Sequence, residues 1–192
     1  MHGLINCALQ DFATEIYGAS VWQSVHEDAK LEHEFFETML VYDDAVTEAV
    51  IKALSKQTGH ARDSLLEDFG TYLASEHASA TVMRLLRLGG EHFDAFLEAL
   101  CKLHDHLNIA IPELEMPLMH LERKTAHDFG VHFWCQRDGY GEVFLGLIRA
   151  MADQYGVLVT VGLHKETQPQ GFLNLLKITL FDDCPHNNAK AQ

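Results

Sequence analysis

The chain lacks what it would need to cross a membrane, staple itself with disulfides or grip a phosphate backbone. No uninterrupted apolar run approaches membrane-spanning length, and the start Met1-His2-Gly3-Leu4-Ile5 lacks the basic-then-apolar order of a signal peptide. The four cysteines, Cys7, Cys101, Cys135 and Cys184, lie far apart with no CxxC pair. Disulfides are therefore not expected, and the chain reads as cytoplasmic and soluble. Basic residues are scarce: 14 Lys and Arg against 28 Asp and Glu leave a formal charge of −14. With no basic run to compensate, a phosphate-backbone binder is excluded, so neither nucleic acid nor membrane is expected as a partner. There are only 4 prolines, and two of them, Pro112 and Pro117, bracket a single connector.

What is present argues for a packed domain. Apolar residues make up 47% of the chain and its 11 Phe are spread throughout, which excludes disorder. The length of 192 residues suits one sizeable core or two intimately packed subdomains. Histidine is frequent at 13, but most fall singly on polar helix faces. A structural zinc site would need Cys184, His186 and His164 to converge, which their spacing specifies poorly.

The first two thirds read as helices. Leu4, Cys7, Ala8, Phe12 and Ile16 form a stripe ending near Gly18, and Ser20 is placed to cap a short helix containing Val21, Trp22 and Val25. Further helices are predicted over Asp44–Leu54, closed by Gly59, over Ser64–Ser75, and over Ser79–Leu88, stopped by Gly89-Gly90. One more runs from about Glu91 to Asn108. Beyond the prolines, Leu118–Arg123 and Gly130–Gln136 read as two strands. A helix over Gly139–Tyr155 follows, then strands over Val157–Leu163 and Phe172–Phe181 separated by a loop from Lys165 to Gly171. The arrangement is α+β: a helical N-terminal region and a C-terminal antiparallel sheet packed with helices. The tail from Asp182 reads as frayed.

Two residue sets carry chemistry. Phe96, Leu100, Leu103 and Leu107 make one apolar helix stripe, and His104 lies beside Leu103 on its buried side. His106 lies about 200° further round the axis, on the wetter surface. An inward histidine is either a hydrogen-bonded core residue or a single axial ligand to a buried metal or haem. The second set is Phe133, Cys135 and Arg137, which period-two geometry places on one strand face with Val131. An arginine following apolar residues there wants either a carboxylate at the core edge or a bound anion. Cys135 is either an inert core thiol or a redox-sensitive one.

These sets occur in an ordered series with Met1-His2-Gly3-Leu4-Ile5-Asn6, Tyr17-Gly18-Ala19-Ser20-Val21-Trp22, Tyr42-Asp43-Asp44, Asp68-Phe69-Gly70 and Leu103-His104-Asp105-His106-Leu107. The series resembles the haem nitric-oxide/oxygen-binding (H-NOX) domain, the sensor module of soluble guanylate cyclase and of stand-alone bacterial proteins. The resemblance covers nearly the whole chain. It implies a single H-NOX domain over 1–182, with a helical subdomain over about 1–60, a haem-sandwiching subdomain over about 61–182 and a flexible tail over 183–192.

The resemblance also implies a haem b (iron protoporphyrin IX) cofactor, with His104 as the proximal iron ligand and Pro117 as the proline pressing on the porphyrin. The family's propionate clamp reads Tyr-x-Ser-x-Arg, where this chain has Phe133-Trp134-Cys135-Gln136-Arg137. Arg137 keeps its bidentate guanidinium. Phe133 loses a phenolic donor, and Cys135 exchanges a hydroxyl for a weak thiol. Haem is expected still to bind, with altered affinity or planarity. On the opposite face, Leu4, Ile5, Leu73, Val143 and Leu147 are the expected apolar lining. Val143 stands where oxygen-binding members place a tyrosine, and Tyr140 or His77 could enter that pocket. The implied function is a non-catalytic sensor of nitric oxide and carbon monoxide that excludes oxygen and signals as the iron–His104 bond weakens. Its expected partner is a separate histidine kinase or cyclic-di-GMP enzyme. Two alternatives stand beside it: a haem-free module serving as a structural or interaction domain, and a haem or metal enzyme, for which no second inward acid–base group is evident.

Overall fold

The computed structural model describes residues 1–75, 90–111 and 113–181. The predicted helix over Ser79–Leu88, His77, Pro112 and the tail with Cys184 and His186 lie outside these residues. Among the described residues the N-terminal half is helical: α1 (Gly3–Tyr17), α2 (Ala19–Ala29), α3 (Asp44–Thr58), α4 (Arg62–Leu73), α5 (Phe93–Cys101) and α6 (Leu103–Ala110). The strands β1 (Met119–Arg123), β2 (Asp128–Cys135), β3 (Leu158–Gln168) and β4 (Gly171–Phe181) follow, with α7 (Tyr140–Gln154) between β2 and β3. The fold class is α+β, as predicted. No described helix is long and apolar enough to cross a membrane.

Local chemistry accounts for most boundaries. Gly18, at φ 95°, ends α1 and is also the N-cap of α2, so Ser20 lies inside that helix and does not cap it. Asp43 caps α3 by accepting the Ala45 N–H at 2.8 Å, and Gly59 closes it in the left-handed conformation. The single helix predicted over 91–108 is two. Lys102 closes α5 and opens α6, its N–H bonding the carbonyls of Glu98 and Ala99 as the chain turns.

The sheet has the order β1-β2-β4-β3 with every neighbouring pair antiparallel. β3 and β4 run on past the predicted loop, pairing Lys165 with Asn174 and Gln168 with Gly171 across a turn at Pro169-Gln170. β2 ends at Cys135, so Arg137 lies beyond the strand and not on its face as predicted.

Two apolar cores share the molecule. Leu9, Phe12, Val25, Val50, Leu54 and Leu65 anchor one within the N-terminal helices, and Phe96, Leu97, Val131, Ile148, Leu176 and Ile178 anchor the other between α5, α7 and the sheet. Each fully buried side chain of this size contributes roughly 1.5–3 kcal/mol. The cores meet where α4 crosses α7. There an added Cβ on Gly70 would lie 1.9 Å from the Val143 carbonyl oxygen, and one on Gly146 would lie 1.9 Å from that of Glu67. Two reciprocal glycines thus bring the helix backbones into direct contact, and an Arg149–Glu67 ion pair flanks the crossing.

Candidate functional site

An apolar cavity of about 310 Å³ lies between the two cores. From α1, Leu4 and Ile5 line it, from α4 Leu73, and from α7 Val143 and Leu147; α6 adds Leu103 and Leu107. These apolar residues come from helices whose 3.6-residue period turns one stripe inward. All five expected lining residues therefore share one wall system. Polar groups gather at one end, where Met1, Asp44, Arg137 and Tyr140 meet. A cavity of this size with apolar walls and a few convergent polar groups suits a small molecule or cofactor.

The polar end is an ion-pair chain. Asp44 accepts from the Met1 ammonium at 2.6 Å through one oxygen and from Arg137 Nε at 2.5 Å through the other. Arg137 Nη1 donates to Glu115 at 2.7 Å. Burial pushes the Asp44 carboxyl up, but its bonds from the ammonium and guanidinium outweigh this and hold it below the ordinary aspartate value. Burial likewise opposes the charge of Arg137, and the two carboxylates more than offset it. The sequence left the anion beside Arg137 open; here it is met by two carboxylates, the half-buried Asp44 and the exposed Glu115. Asp44 is 93 residues from Arg137, so no local pattern reveals the pairing.

His104 stands on α6 between the cavity-lining Leu103 and Leu107 and is half-buried. Its Nδ1 lies 2.7 Å from the carbonyl oxygen of Met116, a residue of the cavity wall. A carbonyl can only accept, so Nδ1 carries the proton and Nε2 keeps its lone pair. His104 itself is not among the lining residues. Among the described residues no three His, Cys, Asp or Glu side chains converge as a metal-binding group, so the imidazole offers one protein ligand and no cage.

Pro117, Phe133 and Cys135 are buried outside the cavity lining. Phe133 packs edge-on against Phe144, which does line the cavity, with ring centroids 5.4 Å apart. The Cys135 thiol accepts the Asn174 amide at 3.3 Å, and burial pushes it up to about 11, the state of an unreactive core thiol. Tyr140 belongs to the polar end: its hydroxyl donates to the Glu115 carbonyl at 3.1 Å. A group the sequence did not suggest lies behind this strand end, where Lys165 pairs with Asp138 at 2.8 Å and with the buried Glu142 at 2.7 Å.

The chain matches known proteins along most of its length. It is 23% identical over 155 residues to soluble guanylate cyclase 89Da of Drosophila melanogaster, covering 81% of this chain and 23% of that protein. It is 25% identical over 154 residues to soluble guanylate cyclase gcy-31 of Caenorhabditis elegans, covering 80% of this chain and 22% of that one. The chain thus spans about a quarter of the length of these relatives. A mutant H-NOX of T. tengcongensis superposes with a TM-score of 0.80 at 16% identity, covering 94% of this chain and 97% of that one. The Fe(II) unliganded H-NOX protein from K. algicida superposes with a TM-score of 0.76 at 18% identity, covering 95% and 98%. The family described as Haem-NO-binding matches residues 2–163, and the chain belongs to it.

Proposed function

We propose that this chain is a haem-dependent sensor of nitric oxide and carbon monoxide that discriminates against oxygen and passes its state to a separate effector protein. The residues present fit the cofactor. The cavity walls are apolar, the His104 Nε2 lone pair is available, and Arg137 has five N–H donors against its two carboxylate bonds, leaving capacity for a propionate. The clamp differs from the family's pattern, since Phe133 and Cys135 are turned into the core and Arg137 is left as its charged member. When bound, haem b held by His104 would supply a ferrous iron able to bind a diatomic gas.

The observation that carries the gas assignment is the character of the wall. Among the described lining residues, the two hydroxyl-bearing side chains donate elsewhere: Thr47 to Asn6 at 2.7 Å and Tyr140 to the Glu115 carbonyl at 3.1 Å. Leu4, Ile5, Leu73, Val143 and Leu147 have no polar hydrogen to offer. Bound oxygen carries charge separation that needs a hydrogen-bond donor, whereas nitric oxide and carbon monoxide do not.

For output, His104 would tie α6 to a bound cofactor, and Lys102 separates α6 from α5. A loosened His104 link would let the eight-residue α6 shift while α5 stays packed in the core, a population shift between two packings. The chain's role is sensing rather than catalysis. A histidine kinase or a cyclic-di-GMP enzyme fits as the effector, and a protein partner suits the acidic surface. The test is the absorption spectrum of the reduced haem-loaded chain under air, carbon monoxide and nitric oxide. The last two should shift the Soret band while air yields no stable oxygen adduct; a long-lived oxygen adduct would overturn the gas assignment.

A further inference from the structure

The outer face of the sheet, turned away from the cavity, carries a histidine–carboxylate cluster that sensing does not use. His120 of β1 is the direct cross-strand partner of His132 of β2. Glu122, two residues along β1, shares their face because side chains alternate along a strand. Directly opposed residues on one face have Cβ atoms about 4.5–5.5 Å apart, within reach of a shared ligand. His132 Nε2 lies 3.1 Å from Glu122 Oε2. The two atoms meet over Gly130, where an added Cβ would lie 3.1 Å from His132 Nε2 and 3.4 Å from Glu122 Oε2. Leu175 Cδ1 stands 3.3 Å from the same point, so the absence of a side chain at position 130 is what gives the pair room to close over the strand.

We propose that His120, Glu122 and His132 form a surface site for a divalent cation of the zinc class. Two ligands at zinc distances from a tetrahedral ion are about 3.3 Å apart, close to the separation the His132 and Glu122 atoms already hold. Imidazole nitrogens with one carboxylate suit zinc and its neighbours better than magnesium or calcium, which prefer all-oxygen shells. The third donor stands off from the pair: no three such side chains converge among the described residues. His120 is exposed, so its ring can turn through solvent to reach the other two. Two charges on the described residues nearby oppose a cation: Lys124, whose Nζ is 3.5 Å from Glu122 Oε2, and the exposed Lys177, the cross-strand partner of Gly130.

The test is calorimetric titration of the haem-loaded full chain with zinc ions. Saturable binding of one zinc per chain is expected. His132→Ala and His120→Ala should each weaken it roughly tenfold or more, and Lys124→Ala should tighten it by removing a competing charge. These substitutions on the outer face leave both cores intact, and an unchanged Soret band checks that the cofactor site is undisturbed. No saturable binding, or unchanged affinity in the His120→Ala/His132→Ala double variant, would overturn the proposal. One zinc shared between two chains would overturn the three-donor arrangement.

Discussion

The protonated Nδ1 of His104 donates to the carbonyl oxygen of Met116 at 2.7 Å, which leaves Nε2 as the nitrogen free to bind a metal. The bond selects the tautomer and orients the ring before any cofactor arrives, the outer-shell role that backbone carbonyls play for metal-binding histidines. Nitrogen-15 NMR of the haem-free chain, read on the neutral form of the ring, should find Nε2 of His104 as the unprotonated, pyridine-like nitrogen. A proton on Nε2 would contradict the geometry.

The crossing of α4 and α7 should tolerate no side chain. Gly70→Ala or Gly146→Ala forces the helices apart, since each Cβ would sit 1.9 Å from a backbone oxygen. Overpacking costs of about 1–3 kcal/mol are expected, offset in part by the roughly 1 kcal/mol that Ala gains over Gly within a helix. Both substitutions open the same crossing, so the double variant should lose less than the sum. Urea denaturation of the two single variants and the double variant measures this.

Acid should loosen the polar end of the cavity. The Asp44 carboxyl is held below its ordinary value, so its contribution to stability is present above the unfolded-state value near 4. That contribution is lost as pH falls through the lower folded value. Asp44→Asn should remove this part of the acid dependence, making stability flatter than in the parent chain below about pH 4. Denaturant midpoints between about pH 5 and pH 2 test it; parallel curves would contradict the ion-pair chain Met1–Asp44–Arg137.

Gas preference should respond to a single hydroxyl. Val143→Tyr places a phenolic donor on an α7 wall position that has none. The variant should acquire a measurable oxygen adduct in air, and a neutral hydrogen bond of about 1 kcal/mol slows release roughly fivefold. Stopped-flow absorption of the reduced haem-loaded variant reads the rate.

The half-buried setting of His104 against the exposed His106 is legible in the sequence, because helical phase depends on neighbours within a few residues. The break at Lys102 is not: Phe96, Leu100, Leu103 and Leu107 keep their spacing through it, so the apolar pattern carries no mark of the turn. Strand β3 outruns its apolar pattern because His164, Lys165, Glu166, Thr167 and Gln168 are polar. They pair by backbone with β4 while their side chains face solvent or, as with Lys165, reach a buried carboxylate. The neighbours of Arg137 are hidden for a different reason. Asp44 and Glu115 come from separate parts of the chain that only folding brings together. The apolar lining is readable residue by residue because each member lies on the inward stripe of its own helix.

His104 is the residue on which the proposed cofactor link depends. Absorption spectra of the reduced, haem-loaded parent chain and of His104→Ala test that link most directly. A Soret band characteristic of histidine-ligated ferrous haem is expected in the parent, lost or strongly altered in His104→Ala. The same band with the same intensity in both proteins would contradict it.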